Sequence, residues 1–275
     1  MRFGSTKIFS MEAKVHSNVG DSRYALMASY WPTYPTALVT DLASGFRVFE
    51  GNHIDLGCGV GHLTYPFTRY AKRVIGVDKD KDVLAYARAL GEVPSGALAK
   101  PMWLVADAEY CPIESDAIRL ITLGRSFHQM DQDKVLNRAF HMLSQGGGIA
   151  IINDETIAPF QNDLLWHHAI RDTLAEFKVP LLFNDMSLAS LSASHEKMLN
   201  ASVFTNHSTR TYKRRREWDT QSVVGYLGTL ESLRALDATT LQTLLSTLQS
   251  RLASIEGNAS LREEIEYHVL TGVKQ

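Results

Sequence analysis

The stretch His53-Ile54-Asp55-Leu56-Gly57-Cys58-Gly59-Val60-Gly61 decides how this chain is read. A short, mostly apolar strand runs into three glycines at alternate positions. A tight strand-to-helix turn brings backbone close to a ligand, and glycine alone tolerates the crowding and the dihedrals. About 20 residues past Gly57, the β-branched run 73–77 (RVIGV) ends at Asp78, the spacing at which a second-strand carboxylate reaches a ribose. A further acid, Asp107, closes the apolar run 102–106 (MWLVA). Acids at the carboxyl ends of successive parallel strands converge on one crevice.

Working outward, strands and helices alternate. Helices are expected over 62–70, over 80–90 with Asp80 as N-cap, and over 131–143 with Val135, Leu136, Ala139, Phe140 and Leu143 on one face. Strands are expected over 117–123 and, after Gly146-Gly147-Gly148, over 149–152. Several strands are continuous apolar runs, as in a parallel sheet covered on both faces. Residues 11–48 read as helices broken at Pro32 and Pro35, with Tyr24, Tyr30, Trp31 and Tyr34 making the segment aromatic. Residues 160–200 read as helical. Beyond them, 203–212 and 265–272 read as strands, and 220–230 and 239–255 as helices.

Length and charge limit the function. A chain of 275 residues fits one domain with insertions, divided as 11–48, 50–153, 155–200 and 201–275. The net charge of −2 gives no reason to expect nucleic acid or an anionic membrane as partner. Lys213-Arg214-Arg215-Arg216 reads as a solvated strand end. Two cysteines, Cys58 and Cys111, offer no disulfide framework, and no apolar run is long enough to span a bilayer. The expectation is a cytoplasmic protein. His62, His128, His141 and His207 share no metal-ligand spacing, so no metal is expected.

The loop also discriminates between nucleosides. The dinucleotide fingerprint places its third glycine at position 62, where His62 stands. Asp55 precedes the glycines. An acid there repels a pyrophosphate and suits an ammonium group, which favours a ligand with an amino-acid end.

These residues resemble the class I S-adenosylmethionine-dependent methyltransferases. Asp55 to Gly61 is similar to their first motif, and Val77-Asp78 to the ribose-binding acid. Asp107-Ala108-Glu109-Tyr110-Cys111-Pro112-Ile113 is similar to "D-A-E-x-L-P-F", whose acid faces the adenine amino group. Ser126-Phe127-His128-Gln129-Met130-Asp131 resembles the "A-F-H-W-F-D" segment of a small-molecule subgroup of the trans-aconitate type, and Leu143 to Gly148 its "L-K-P-G-G" turn. Tyr30-Trp31-Pro32-Thr33-Tyr34-Pro35 is similar to "Y-R-P-x-Y-P", and Val224 to Thr229 to "V-G-Y-L-x-S". Trp31, Gln129 and the pair Gly124-Arg125 depart from the usual residues.

The resemblance implies an α/β Rossmann-like fold: a mostly parallel seven-stranded sheet, an N-terminal helical lid, and a helical insertion after strand five. It implies S-adenosylmethionine as cofactor, held by Asp55, Gly57, Cys58, Gly59, Gly61, Asp78, Lys79, Asp107, Ala108, Gly124 and Arg125. It implies a biosynthetic methyltransferase acting on a small molecule, with the oligomeric state open. His128 is the candidate general base, and Tyr30, Trp31 or Tyr34 is expected to face the sulfonium. Arg125 is expected to pair with a carboxylate of cofactor or substrate. His167, His168 and Glu155 lie where substrate contacts can arise. Two other functions stay open: an enzyme that cyclises or cleaves the same cofactor and releases methylthioadenosine, and a protein that binds the cofactor without chemistry.

Overall fold

A computed structural model describes residues 23–91, 93–114, 117–154, 160, 162–179, 187–257 and 260–275. Two short helices come first, Arg23–Tyr30 (α1) and Thr36–Gly45 (α2), parted at Pro32 and Pro35 as expected. Any helix before residue 23 lies outside the described residues. Then strands and helices alternate: Asn52–Leu56 (β1), Thr64–Phe67 (α3), Arg73–Asp78 (β2), Lys81–Leu90 (α4), Pro101–Val105 (β3), Ile118–Gly124 (β4), Gln132–Met142 (α5) and Gly148–Asp154 (β5). Asp80 caps α4 by accepting from the N–H groups of Asp82 and Val83. Asp131 caps α5 through the Lys134 N–H.

The helix expected over 62–70 shrinks to the single turn of α3. Pro66 brings no N–H, and the amides of Thr68 and Tyr70 reach back three residues, to the carbonyls of Tyr65 and Phe67.

After β5 come Leu165–Glu176 (α6), Leu188–Asn200 (α7), Thr205–Trp218 (β6), Thr220–Leu227 (α8), Glu231–Arg234 (α9), Ala238–Glu256 (α10) and Leu261–Val273 (β7). Both late strands are longer than their apolar patterns. The basic run 213–216 therefore lies inside β6, not past its end. Residues 155–159, including the candidate Glu155, and 161 and 180–186 lie outside the described residues.

The sheet has seven strands in the order β3-β2-β1-β4-β5-β7-β6. β1 to β5 are parallel, and β7 runs antiparallel between β5 and β6. This is the mostly parallel seven-stranded architecture expected. The strand order reverses at β1, between β2 and β4, where an open α/β sheet forms its crevice.

Period-two alternation splits the core across the sheet. Ile149 and Ile151 of β5 pack with Ile54, Leu56, Val135, Leu136 and Leu199 on one face. Ala150 and Ile152 pack with Leu38, Leu42, Phe67 and Val74 on the other. A third cluster unites α6, α8 and α10 through Trp166, Ile170, Leu174, Tyr226 and Leu227. The α10 stripe Leu244, Leu248, Leu252 completes it, and Tyr30 and Trp31 pack against it. No helix among the described residues is long and apolar enough to cross a membrane.

Candidate active site

The loop after β1 is made by backbone conformation. Gly57, Gly59 and Gly61 all have positive φ, 66°, 53° and 94°. Each has its own reason to lack a side chain. A Cβ on Gly57 would lie 2.5 Å from that of Ser126. A Cβ on Gly61 would meet Trp103 at 2.8 Å and Tyr65 at 2.9 Å, so Gly61 serves packing and does not line the cleft. Gly59 faces open space with nothing within 4 Å, which leaves a cradle at the cleft floor.

The acids stand around this cradle. Asp78, ending β2, accepts the Gly59 N–H at 2.9 Å on Oδ2 and the Asp80 N–H at 3.0 Å on Oδ1. Each oxygen keeps lone-pair capacity for a further donor. Asp107 caps the turn Ala108–Tyr110 through the Glu109 N–H. Asp55 is buried at the end of β1. Its Oδ2 accepts from the Thr64 hydroxyl at 2.7 Å and its Oδ1 from the Thr122 hydroxyl at 2.8 Å. Burial outweighs these bonds and lifts its pKa to about 6.

The cleft gathers Asp55, Gly57, Cys58, Gly59, Asp78, Lys79, Asp107, Ala108, Gly124 and Arg125, ten of the eleven expected cofactor contacts. The Cys58 thiol is pushed well up by burial, so it is no nucleophile. Met27, His62, Glu109 and Met130 line the cleft as well and were missed. No residue-type signal marks the methionines. Gly124 is fixed by the lid, because a Cβ there would lie 2.4 Å from the Tyr34 hydroxyl.

Arg125 departs from expectation. Its Nε donates to Asp154 Oδ2 at 2.6 Å and its Nη2 to the Pro32 carbonyl at 2.7 Å, with side-chain exposures of 5% and 0% for Arg125 and Asp154. Burial opposes the charge, but Asp154 outweighs it and holds the guanidinium protonated. Its carboxylate partner is therefore internal, the acid ending β5. That acid was legible as a third strand-end carboxylate after Asp78 and Asp107. The guanidinium carbon also sits 4.6 Å from the Tyr34 ring centre and 5.4 Å from that of Trp31. The cation facing the lid aromatics here belongs to the protein.

The expected catalytic trio separates. Trp31 lines the cleft, with its indole N–H on Thr229 Oγ1 at 2.9 Å. Tyr30 turns away and packs its ring on α8 at Gly225, where a Cβ would meet it at 2.2 Å. His128 does not line the cleft. The turn Phe127–Gln129 sends Phe127 into the core and His128 towards His195 of α7. His167 is fully buried, 3.2 Å from Glu263 Oε2 and ringed by Phe160 and Trp166. His168 is an exposed partner of Asp163. Neither lines the cleft.

The basic run holds the lid. Arg214 donates to the Thr33 carbonyl at 2.7 Å and Arg216 to the Tyr30 carbonyl at 2.5 Å. Arg216 lies over Trp218, 3.3 Å from the ring centre. Burial lowers the Arg216 pKa to about 10. Lys213 pairs with Glu264 and Glu266 of β7. Lys213 is neutralised and Arg216 half-buried, while Lys213, Arg214 and Arg215 stay exposed, so most of the run is the solvated face expected.

Comparison with known proteins agrees with this geometry. Residues 54–151 match the family model described as a methyltransferase domain. A candidate S-adenosylmethionine-dependent methyltransferase of Saccharomyces cerevisiae is 22% identical over 121 residues, 43% of this chain and 41% of that one. The malonyl-[acyl-carrier protein] O-methyltransferase of Hamiltonella defensa is 26% identical over 100 residues, 36% of each. The match thus spans less than half the length of these relatives. A solved candidate type II methyltransferase from Anaeromyxobacter dehalogenans superposes with a TM-score of 0.59 at 18% identity, covering 88% of this chain and 97% of that one, and shares the fold. Residues 54–151 thus match a methyltransferase domain, and over that stretch the chain is similar to S-adenosylmethionine-dependent methyltransferases.

Proposed function

We propose that this protein transfers the methyl group of S-adenosylmethionine to a small-molecule acceptor bound under the N-terminal lid. One observation carries the reading: Asp55, Asp78 and Asp107 converge with the open cradle of Gly59 on a single cleft. The residues fit the cofactor chemically. Asp78 has lone pairs left for the ribose hydroxyls, Asp107 on the cleft wall would accept from the adenine amino group, and Asp55 would offer negative charge to the α-ammonium.

The bound cofactor supplies an electrophilic methyl group on a sulfonium, and the protein positions the partners and excludes water. Trp31 and Tyr34 roof the cleft. Arg125 keeps that roof down through Pro32, and its charge is spent on Asp154. Among the described residues of the cleft, no side chain stands out as a strong base. Among the described residues, His62 is the imidazole that lines it, and burial, aided by Arg125, lowers its pKa to about 3. This favours acceptors that are already nucleophilic without giving a proton to a histidine, such as carboxylates. The resemblance to a methyltransferase of malonyl groups supports including carboxylates.

The test is incubation with methyl-labelled S-adenosylmethionine and a panel of small carboxylates, amines and phenols, read by mass spectrometry. S-adenosylhomocysteine together with a labelled product is the expected result. Methylthioadenosine formed without acceptor would replace methyl transfer by cofactor cyclisation or cleavage. Cofactor retained without turnover across the panel would leave a binding protein.

A further inference from the structure

Asp55 does not stand alone behind the cleft. Its Oδ1 accepts from the Thr122 hydroxyl, and the same hydroxyl lies 2.9 Å from His53 Nε2. His53 is fully buried and stacked on Phe67, ring centres 3.9 Å apart, and its Nδ1 has no hydrogen-bond partner among the described residues.

This chain has a direction set by the proton on Asp55. With Asp55 ionised, the Thr122 hydroxyl donates to the carboxylate and accepts from His53 Nε2–H, so the unpartnered Nδ1 is a bare lone pair. With Asp55 protonated on Oδ1, the order reverses. The carboxyl donates to Thr122, Thr122 donates to Nε2, and the ring proton moves to Nδ1, where it has no acceptor. A buried N–H without a partner is the rarer and costlier fault. Because the imidazole is held neutral, with a pKa lowered to about 3 by burial, doubly protonating it offers no escape.

We propose that His53 and Thr122 are positioning residues that bias Asp55 towards its ionised form, so that the carboxylate meets the α-ammonium of the cofactor and binding is coupled to loss of a proton. The inference rests on the cofactor reading above. The groups facing Asp55 from the elements packed on it are consistent with such a need. Thr64 donates from the start of α3. Asp78 of β2 adds a like charge, the Cys58 thiol abuts it uncharged, and Tyr34 of the lid lies near, its phenol pushed far up by burial. None of these is a cation. In the ligand-free protein, burial keeps Asp55 half protonated near pH 6, and the incoming ammonium is the missing positive charge.

The experiment measures the dissociation constant of S-adenosylhomocysteine, which carries the same amino-acid end, from pH 5 to 8.5. It compares wild type, Thr122→Val, Thr122→Ser and His53→Phe, each checked for an unchanged circular dichroism spectrum. Wild type is expected to bind evenly above neutrality and to weaken about tenfold per pH unit below about pH 6. In Thr122→Val the midpoint should move up by about one unit, since a donor to the carboxylate is lost. His53→Phe should move it in the same direction, because no stranded N–H then opposes protonation, and Thr122→Ser should restore it. A Thr122→Val curve superimposed on wild type, or lowered in parallel with an unmoved midpoint, overturns the coupling while leaving the cofactor site intact. No binding by wild type at any pH overturns the cofactor reading itself.

Discussion

The two sides of the cleft are built on opposite principles. On the floor, carboxylates accept from backbone amides within 19 residues: Asp78 from Gly59 and Asp80, Asp107 from Glu109, Asp80 from Asp82. On the lid side, guanidiniums donate to backbone carbonyls far away: Arg125 to Pro32, Arg214 to Thr33 and Arg216 to Tyr30. The floor is a set of turns at the ends of neighbouring strands, which folds with those strands. The lid is held from a distance by side chains that must find it. Under the proposed function, the floor is expected to carry affinity with little bearing on stability, and the lid to carry stability and closure together.

That contrast can be broken most sharply at Arg125. Arg125→Met takes the guanidinium away from Asp154, a fully buried carboxylate, and should cost about 3–5 kcal/mol in urea unfolding, with Arg125→Met/Asp154→Leu recovering most of it. Equal loss in both variants would mean that packing on Trp31 and Tyr34 matters more than charge. On the floor, Asp78→Asn should change unfolding little and weaken S-adenosylhomocysteine by about 100-fold, as expected for two charge-assisted hydrogen bonds to the ribose. A large stability loss with affinity kept would reverse the roles assigned to floor and lid.

Acidification probes both sides at once. His53, His62 and His195 have folded pKa values lowered by burial to about 3, 3 and 4. A histidine with a depressed folded pKa gives stability that is present above its unfolded value near 6.5 and lost as pH falls towards the folded one. Asp55, raised to about 6, acts the other way: its contribution is present below the unfolded value and fades as pH rises through about 6. Three groups outweigh one, so the urea midpoint should fall between pH 7 and pH 5, with the fully buried His53 alone worth about 2 kcal/mol. A midpoint that rose on acidification would mean that Asp55 dominates. The smallest effect is expected at Trp31. Trp31→Ala removes the roof and the bond to Thr229, and should raise the dissociation rate of S-adenosylhomocysteine about tenfold, with unfolding changed by about 1 kcal/mol. An unchanged rate would free Trp31 from any role over the cleft.

The same division explains what the amino-acid sequence discloses. The floor lies in one stretch of about 100 residues. Its strands, glycines and acids follow from period, turn chemistry and spacing, and their placement in one cleft follows from parallel strands with a reversal of order at β1. The lid contacts join residues as far apart as Tyr30 and Arg216, and no local pattern links them. Arg125 reads as ligand-facing until Asp154 is seen beside it. Its own backbone, with φ of 61°, turns the side chain inward. His128 lies off the cleft for a similar reason: the single turn Phe127–Gln129 directs Phe127 inward instead. The run 213–216 has the composition of a free basic patch, and only the pairing of β6 with β7 brings Glu264 and Glu266 beside Lys213.

The place of β7 has a consequence for how the molecule is born. β7 follows the other described strands in sequence, yet it lies between β5 and β6 and pairs with both. Gly148 pairs with Val273 across more than a hundred residues of intervening chain. Until residues 261–273 leave the ribosome, one edge of β5 is open and β6 has no strand to join. The methyltransferase core is then a five-stranded sheet with an exposed apolar border. The contacts that close it have high sequence separation, so they form late and slowly. During synthesis the chain must carry an unfinished edge, a period in which chaperone protection matters more for this protein than its finished surface would indicate.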